Sequence, residues 1–136
     1  MKLTNGKVLI FTGIMHSLFA VLPLAFGKQF LTFSESYFFK ISNGLSEFPL
    51  FNGRMMYENF AAFWFFYFGL MIIPVGILIR NMEKNEIQIP FNFIITYLAV
   101  VLVGVYMIPF SGMTLFMLPH AVFMLWTHFN TKTNDH

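Results

Sequence analysis

The sequence contains no cysteine, which excludes disulfides, thiolate metal sites and cysteine nucleophiles and leaves the redox compartment without a marker. It is also poor in charge. Charged residues make up 10% of the 136, against roughly 25% in a typical soluble domain. The formal net charge is only +2, and no stripe of lysine and arginine forms a phosphate track, so a nucleic-acid partner is excluded. Phosphate-cradling glycine loops, the histidine–glutamate zinc signature and paired carboxylates within the apolar stretches are absent as well.

What is present is apolar. Hydrophobic residues make up 57% of the chain, and 20 residues are phenylalanine. A water-soluble core of this size could not hide so many rings, so lipid is the expected solvent over much of the surface. The length suits one domain, and residues 1–136 are expected to form a single membrane domain.

Charge spacing predicts the spans. Twenty residues without formal charge separate Lys7 from Lys28, and twenty-one separate Glu58 from Arg80. Each matches the roughly 20 residues a helix needs to cross a hydrocarbon core of about 30 Å. A third charge-free region, Ile87–Thr131, has forty-five residues. As one helix it would be about 67 Å long, twice the bilayer, so it must fold back, and Pro109–Gly112 ("PFSG") is the natural turn. Four transmembrane helices are therefore expected, at about 7–27, 56–80, 91–109 and 112–129. The fold class that follows is all-α, an integral membrane antiparallel four-helix bundle. The first span is read as a retained helix, because it is longer than the h-region of a signal peptide and no small-x-small site precedes Lys28.

Lysine and arginine in the connections predict orientation. Lys2, Lys7, Arg80, Lys84 and Lys132 fall on one side, and Lys28, Lys40 and Arg54 on the other. Both termini are thus expected in the cytoplasm. The segment Lys28–Met56 mixes aromatic residues with charges, with Asn43-Gly44 and Asn52-Gly53 as turn signals. It reads as an aromatic-rich extracytoplasmic loop containing a short interfacial helix, serving either as a cover for helix ends or as a lid over a cavity. The tail "NTKTNDH" reads as disordered.

Helices in lipid associate through small residues that let backbones approach. Gly6, Gly13, Ala20 and Gly27 recur every seven residues, and so do Ala62, Gly69 and Gly76. These stripes mark the inward faces. His16 and Glu58 lie on them, within three or four residues of a stripe position.

Ionisable residues inside a membrane are candidate functional sites, because an unpaired one is expensive. His16 and His120 each fall near the middle of an expected span, which predicts a histidine pair at the bilayer midplane. They could act as a structural clasp, hold a ligand or handle protons. Glu58 falls near the outer end of its helix, where capping or pairing with Arg54 would account for it. The alternative is that Glu58 and Asn59 line an outward-opening cavity with Tyr106, Ser111 and Thr114. Met113, Met117, His120 and Met124 share one helix face. Thioethers and an imidazole could ligate Cu(I), but one helix presents at most two ligands at one level, so these methionines are read as core packing. Neither a metal nor a cofactor is expected.

The stretches "NGKVLIFTGIMHSLFAVLPLAFG", "YENFAAFWFFYFGL" and "GVYMIPFSGMTLFMLPHAVFML" together resemble a family of small, uncharacterised bacterial membrane proteins of four predicted helices. The resemblance covers nearly the whole chain. It implies a bacterial inner membrane and a single-domain architecture, and no activity.

The leading functional expectation is a binding module. A lipophilic small molecule or lipid would be buried in an intrabundle pocket lined by His16, His120 and Tyr67, with Glu58, Asn59 and Tyr106 toward the mouth. Alternatives are an intramembrane enzyme using a midplane histidine as general acid–base, and an accessory subunit whose polar residues only clasp helices. Membrane lipid is the expected partner. Four spans are few for a monomeric transporter, so transport would call for a homo-oligomer or partners.

Overall fold

Apolar runs bounded by proline and by charge fold as helices in the computed structural model, which describes residues 3–22, 25–33, 50–51, 54–55 and 57–133. Helix α1 covers Asn5–Val21, α2 Gly27–Phe33, α3 Tyr57–Lys84, α4 Phe91–Met107 and α5 Leu118–Thr133, with a π-helical turn at Met113–Met117 leading into α5. Among the described residues, β-strand is confined to a short hairpin. Its strands β1, Leu50–Phe51, and β2, Arg54–Met55, pair antiparallel with Leu50 opposite Met55. The chain is thus essentially all-helical.

Sequence chemistry explains where the helices stop. α1 ends at Val21, short of the expected residue 27, and its end is closed by the Ala25 and Gly27 amides donating to the Leu22 carbonyl at 3.1 and 3.0 Å. Pro23 follows immediately, and the residue before a proline is pushed out of the helical region. The remainder of the expected first span begins a separate helix, α2. The hairpin strands flank the Asn52-Gly53 turn signal, which itself lies outside the described residues, and α3 starts at Tyr57, one residue later than expected.

α3 runs four residues further than expected, so Glu83 and Lys84 belong to a helix and not to a loop. Its end is a Schellman arrangement, with the Ile87 amide bonded to the Met82 carbonyl at 2.9 Å and the Glu86 amide to the Glu83 carbonyl at 3.4 Å. Glu86 occupies the left-handed position, with φ 57°. The Asn85 side chain donates to the Asn81 carbonyl at 2.8 Å. α4 starts after Pro90 and stops before Pro109, two residues earlier than expected. Residues 109–111 bend as the "PFSG" reading requires. The π-helical turn precedes Pro119, whose missing N–H removes a helical donor, and a widened turn is one way a helix absorbs that loss.

The chain divides into two compact units, Met1–Ile10 with Val75–His136, and Phe11–Pro74. In the first, Ile94 and Val101 of α4 are fully buried, as are Ala121 and Met124 of α5. Gly6 lies against the Arg80 backbone so closely that an added methyl would collide with it. In the second unit Gly69 approaches Gly13, and a methyl on Gly69 would lie 2.9 Å from the Gly13 carbonyl oxygen and 2.8 Å from the Ser17 nitrogen. Ala20 and Ala62 are fully buried there, and the Ser17 hydroxyl donates to the Phe66 carbonyl at 3.2 Å. The small-residue stripes are therefore the packed faces. The loop residues 34–49, with their aromatic side chains and the Asn43-Gly44 turn signal, lie outside the described residues, as does the tail beyond Thr133.

Candidate functional site

The first unit carries a chain of polar contacts at the start of α1. The first amides of a helix lack intrahelical acceptors, and a carboxylate is the strongest group to satisfy them. Glu83 does this from α3. One of its oxygens accepts the Asn5 amide at 2.7 Å and the other the Gly6 amide at 3.1 Å. Asn5 is itself buried, 5% exposed. Its side-chain amide donates to the Thr127 hydroxyl at 3.3 Å, and that hydroxyl donates to the Met124 carbonyl at 2.9 Å. Asn5 therefore ties the beginning of α1 to α3 and α5 at once.

His120 lies one turn before Met124 on α5 and is 5% exposed. Its Nδ1 is 3.0 Å from the Tyr97 hydroxyl of α4, with the two rings edge-on at 5.6 Å. The Asn5 backbone and the charge of Glu83 also act on the imidazole. Nevertheless Nε2 is buried without a hydrogen-bond partner of acceptable geometry among the described residues, and so is the Asn5 Oδ1 atom. Arg80 Nε and Thr4 Oγ1 are orphaned in the same way. Those two residues join Lys7, Glu83 and Lys84 around a cleft of about 170 Å³.

The second unit holds the other expected site residues. His16 is half-buried, stacked on Phe65 with ring centroids 3.9 Å apart and edge-on to Phe68 at 5.7 Å. Its Nε2 lies near the Phe65 backbone yet has no well-formed hydrogen bond. Glu58 is exposed and accepts a hydrogen bond from the Gln29 side chain at 3.2 Å. Tyr67 is stacked on Phe63 at 5.6 Å and edge-on to Trp64 at 6.0 Å.

His16, Glu58 and Tyr67 belong to the second unit, and His120 and Tyr106 to the first. Tyr106 is 88% exposed. The side chains of Asn59, Arg54 and Met113 lie outside the described residues, so the Glu58–Arg54 pair and part of the methionine face lie there too. Met124 is fully buried in the core. No group of three His, Asp or Glu side chains among the described residues is spaced to hold a metal ion.

Asn5, Glu83, Tyr97 and Thr127 were not among the expected site residues. One signal pointed to Glu83. It continues the seven-residue series of Ala62, Gly69 and Gly76 along α3, and so lies on the packed face beyond the last small residue.

The chain belongs to a family of unknown function, DUF6463, whose model matches residues 2–130. No curated protein matches it, and neither does any solved structure.

Proposed function

We propose that the chain is an integral membrane protein of four antiparallel spans, formed by α1, α3, α4 and the π-helical turn with α5, and that it binds a lipophilic molecule through His120. α3 supports the membrane setting. An 18-residue window within Ala61–Lys84 has a mean hydropathy of 2.2 with only 28% of it buried, whereas the core helix of a soluble protein is mostly buried. α1 and α4 are apolar and have 17 residues each, at the short end of the spanning range. Phe11, Leu78, Val103 and Phe129, one on each proposed span, are all more than half exposed, and so large an apolar surface calls for lipid or partners. The resemblance described above supports a bacterial inner membrane. The lysine and arginine bias supports cytoplasmic termini.

One observation carries the binding reading: His120 is buried, held at Nδ1 by Tyr97, and its Nε2, although the Asn5 backbone acts on the ring, has no well-formed hydrogen bond among the described residues. A buried polar atom left unpaired is costly, and a ligand's polar group would relieve that cost. Nε2 donates when Tyr97 donates to Nδ1, and accepts when the roles reverse. A carbonyl suits the first state, and a hydroxyl suits both. Burial of the ligand's apolar body would supply most of the affinity.

A second reading is favoured by the Tyr97–His120 bond itself, which joins α4 to α5 and is sufficient for a structural clasp. Mass spectrometry of the protein purified in mild detergent separates the two. Wild type would be compared with His120→Ala and His16→Ala, with helicity checked in each. Binding through His120 predicts a stoichiometric, non-bulk species in wild type that is lost in His120→Ala. Bulk phospholipid alone, equal in all three, would leave the clasp.

A further inference from the structure

We infer that the cleft lined by Thr4, Lys7, Arg80, Glu83 and Lys84 is a binding site for a phosphate group, separate from the His120 centre. Three cationic side chains surround one carboxylate. That carboxylate is already engaged by the Asn5 and Gly6 amides at 2.7 and 3.1 Å, so the cleft presents a net positive charge. Arg80 Nε and Thr4 Oγ1, on two of the lining residues, are buried and have no hydrogen-bond partner among the described residues. Residues bearing guanidinium, ammonium and hydroxyl groups line one cleft, and such groups match a tetrahedral oxyanion, which offers several acceptor oxygens and the complementary charge. The volume of about 170 Å³ is far above what one water requires. Glu83 serves the site indirectly, fixing the start of α1 and with it Thr4 and Lys7.

The height of the cleft suggests where such phosphates are found. α3 has 28 residues, about 42 Å of helix against a hydrocarbon core of about 30 Å. Its Arg80–Lys84 end therefore extends to the headgroup layer of the proposed membrane setting, on the side the lysine and arginine bias makes cytoplasmic. A phosphate there belongs to an anionic lipid headgroup or to a free phosphate ion.

The experiment uses the full-length protein in mild detergent, with wild type, Arg80→Gln, Lys84→Gln and, as a charge-matched control outside the cleft, Lys28→Gln. Inorganic phosphate is titrated alone against thermal unfolding. In parallel, native mass spectrometry counts phosphatidylglycerol and phosphatidylcholine retained from equimolar mixed micelles. The expected result is a wild-type preference for phosphatidylglycerol, or stabilisation by inorganic phosphate, that Lys28→Gln keeps. Arg80→Gln and Lys84→Gln should each weaken it about fivefold. A response to phosphate ion alone identifies a soluble ligand, and a response to the lipid alone identifies a headgroup. If Arg80→Gln fails to fold, Lys84→Gln carries the comparison. Equal responses in Lys84→Gln and Lys28→Gln, or no response in wild type to either probe, would overturn the site.

Discussion

Glu83 accepts the backbone N–H of Asn5 at 2.7 Å although 78 residues separate them in the chain. The cap of α1 is therefore supplied by α3, and the helix start is a tertiary contact. Replacing Glu83 with Gln removes the charge from a bond that also serves the Gly6 amide. The expected loss is about 1–2 kcal/mol of unfolding free energy, read from denaturant titration in detergent. Glu83→Ala should cost at least as much, and unchanged stability in both variants would contradict a capping role.

The close approach of α1 and α3 in the second unit gives a prediction of sign. A methyl on Gly69 would lie 2.8 Å from the Ser17 nitrogen and 2.9 Å from the Gly13 carbonyl oxygen. These are backbone atoms that cannot swing away, so Gly69→Ala should destabilise by about 1–3 kcal/mol. At Gly112 an added methyl meets nothing within 4 Å. Gly112→Ala should be neutral or stabilise by up to about 1 kcal/mol, because alanine loses less backbone freedom on folding. Thermal unfolding of the two variants side by side checks the contrast.

The glycine stripes show how much of the fold the sequence makes legible. Small residues at a seven-residue spacing had one physical use in an apolar helix, and Gly6, Gly13, Gly69 and Gly76 are all buried. Proline marks the end of α4 to within two residues, whereas charge spacing carries the first span past Pro23, because the apolar run continues to Gly27. The site was harder to read. Charge spacing ends the second span at Arg80 and leaves Glu83 and Lys84 outside it, which hides that α3 continues as helix and turns Glu83 onto α1. Pairing His16 with His120 rests on helix depth alone, and the two residues fall in different units. Tyr97 carried no sequence signal beyond one polar atom in an apolar helix.

The end of α3 offers a stabilising change. Glu86 holds φ 57°, a left-handed conformation that costs a side chain of this kind about 1–2 kcal/mol. Glycine adopts it freely but loses more freedom on folding. Glu86→Gly should therefore raise stability by about 0.5–1 kcal/mol while preserving the Ile87–Met82 and Glu86–Glu83 backbone bonds. A drop in unfolding midpoint would mean that the Glu86 side chain has an unrecognised partner.

Tyr97 and His120 decide between the binding and clasp readings. Tyr97→Phe keeps the ring but removes the hydroxyl 3.0 Å from Nδ1. It leaves a second buried imidazole nitrogen unpaired, at an expected cost of about 1–3 kcal/mol. Both readings share that loss, so stability alone does not separate them. A bound ligand adds a second effect, because the Tyr97 hydroxyl sets which tautomer Nε2 presents and its removal frees the ring to choose. Under the binding reading Tyr97→Phe retains less of the co-purified species than does a comparably destabilised variant elsewhere, such as Gly69→Ala. Under the clasp reading the two variants behave alike. Quantifying retained small molecules in both at matched stability is the measurement, and equal retention would remove Tyr97 from any binding role.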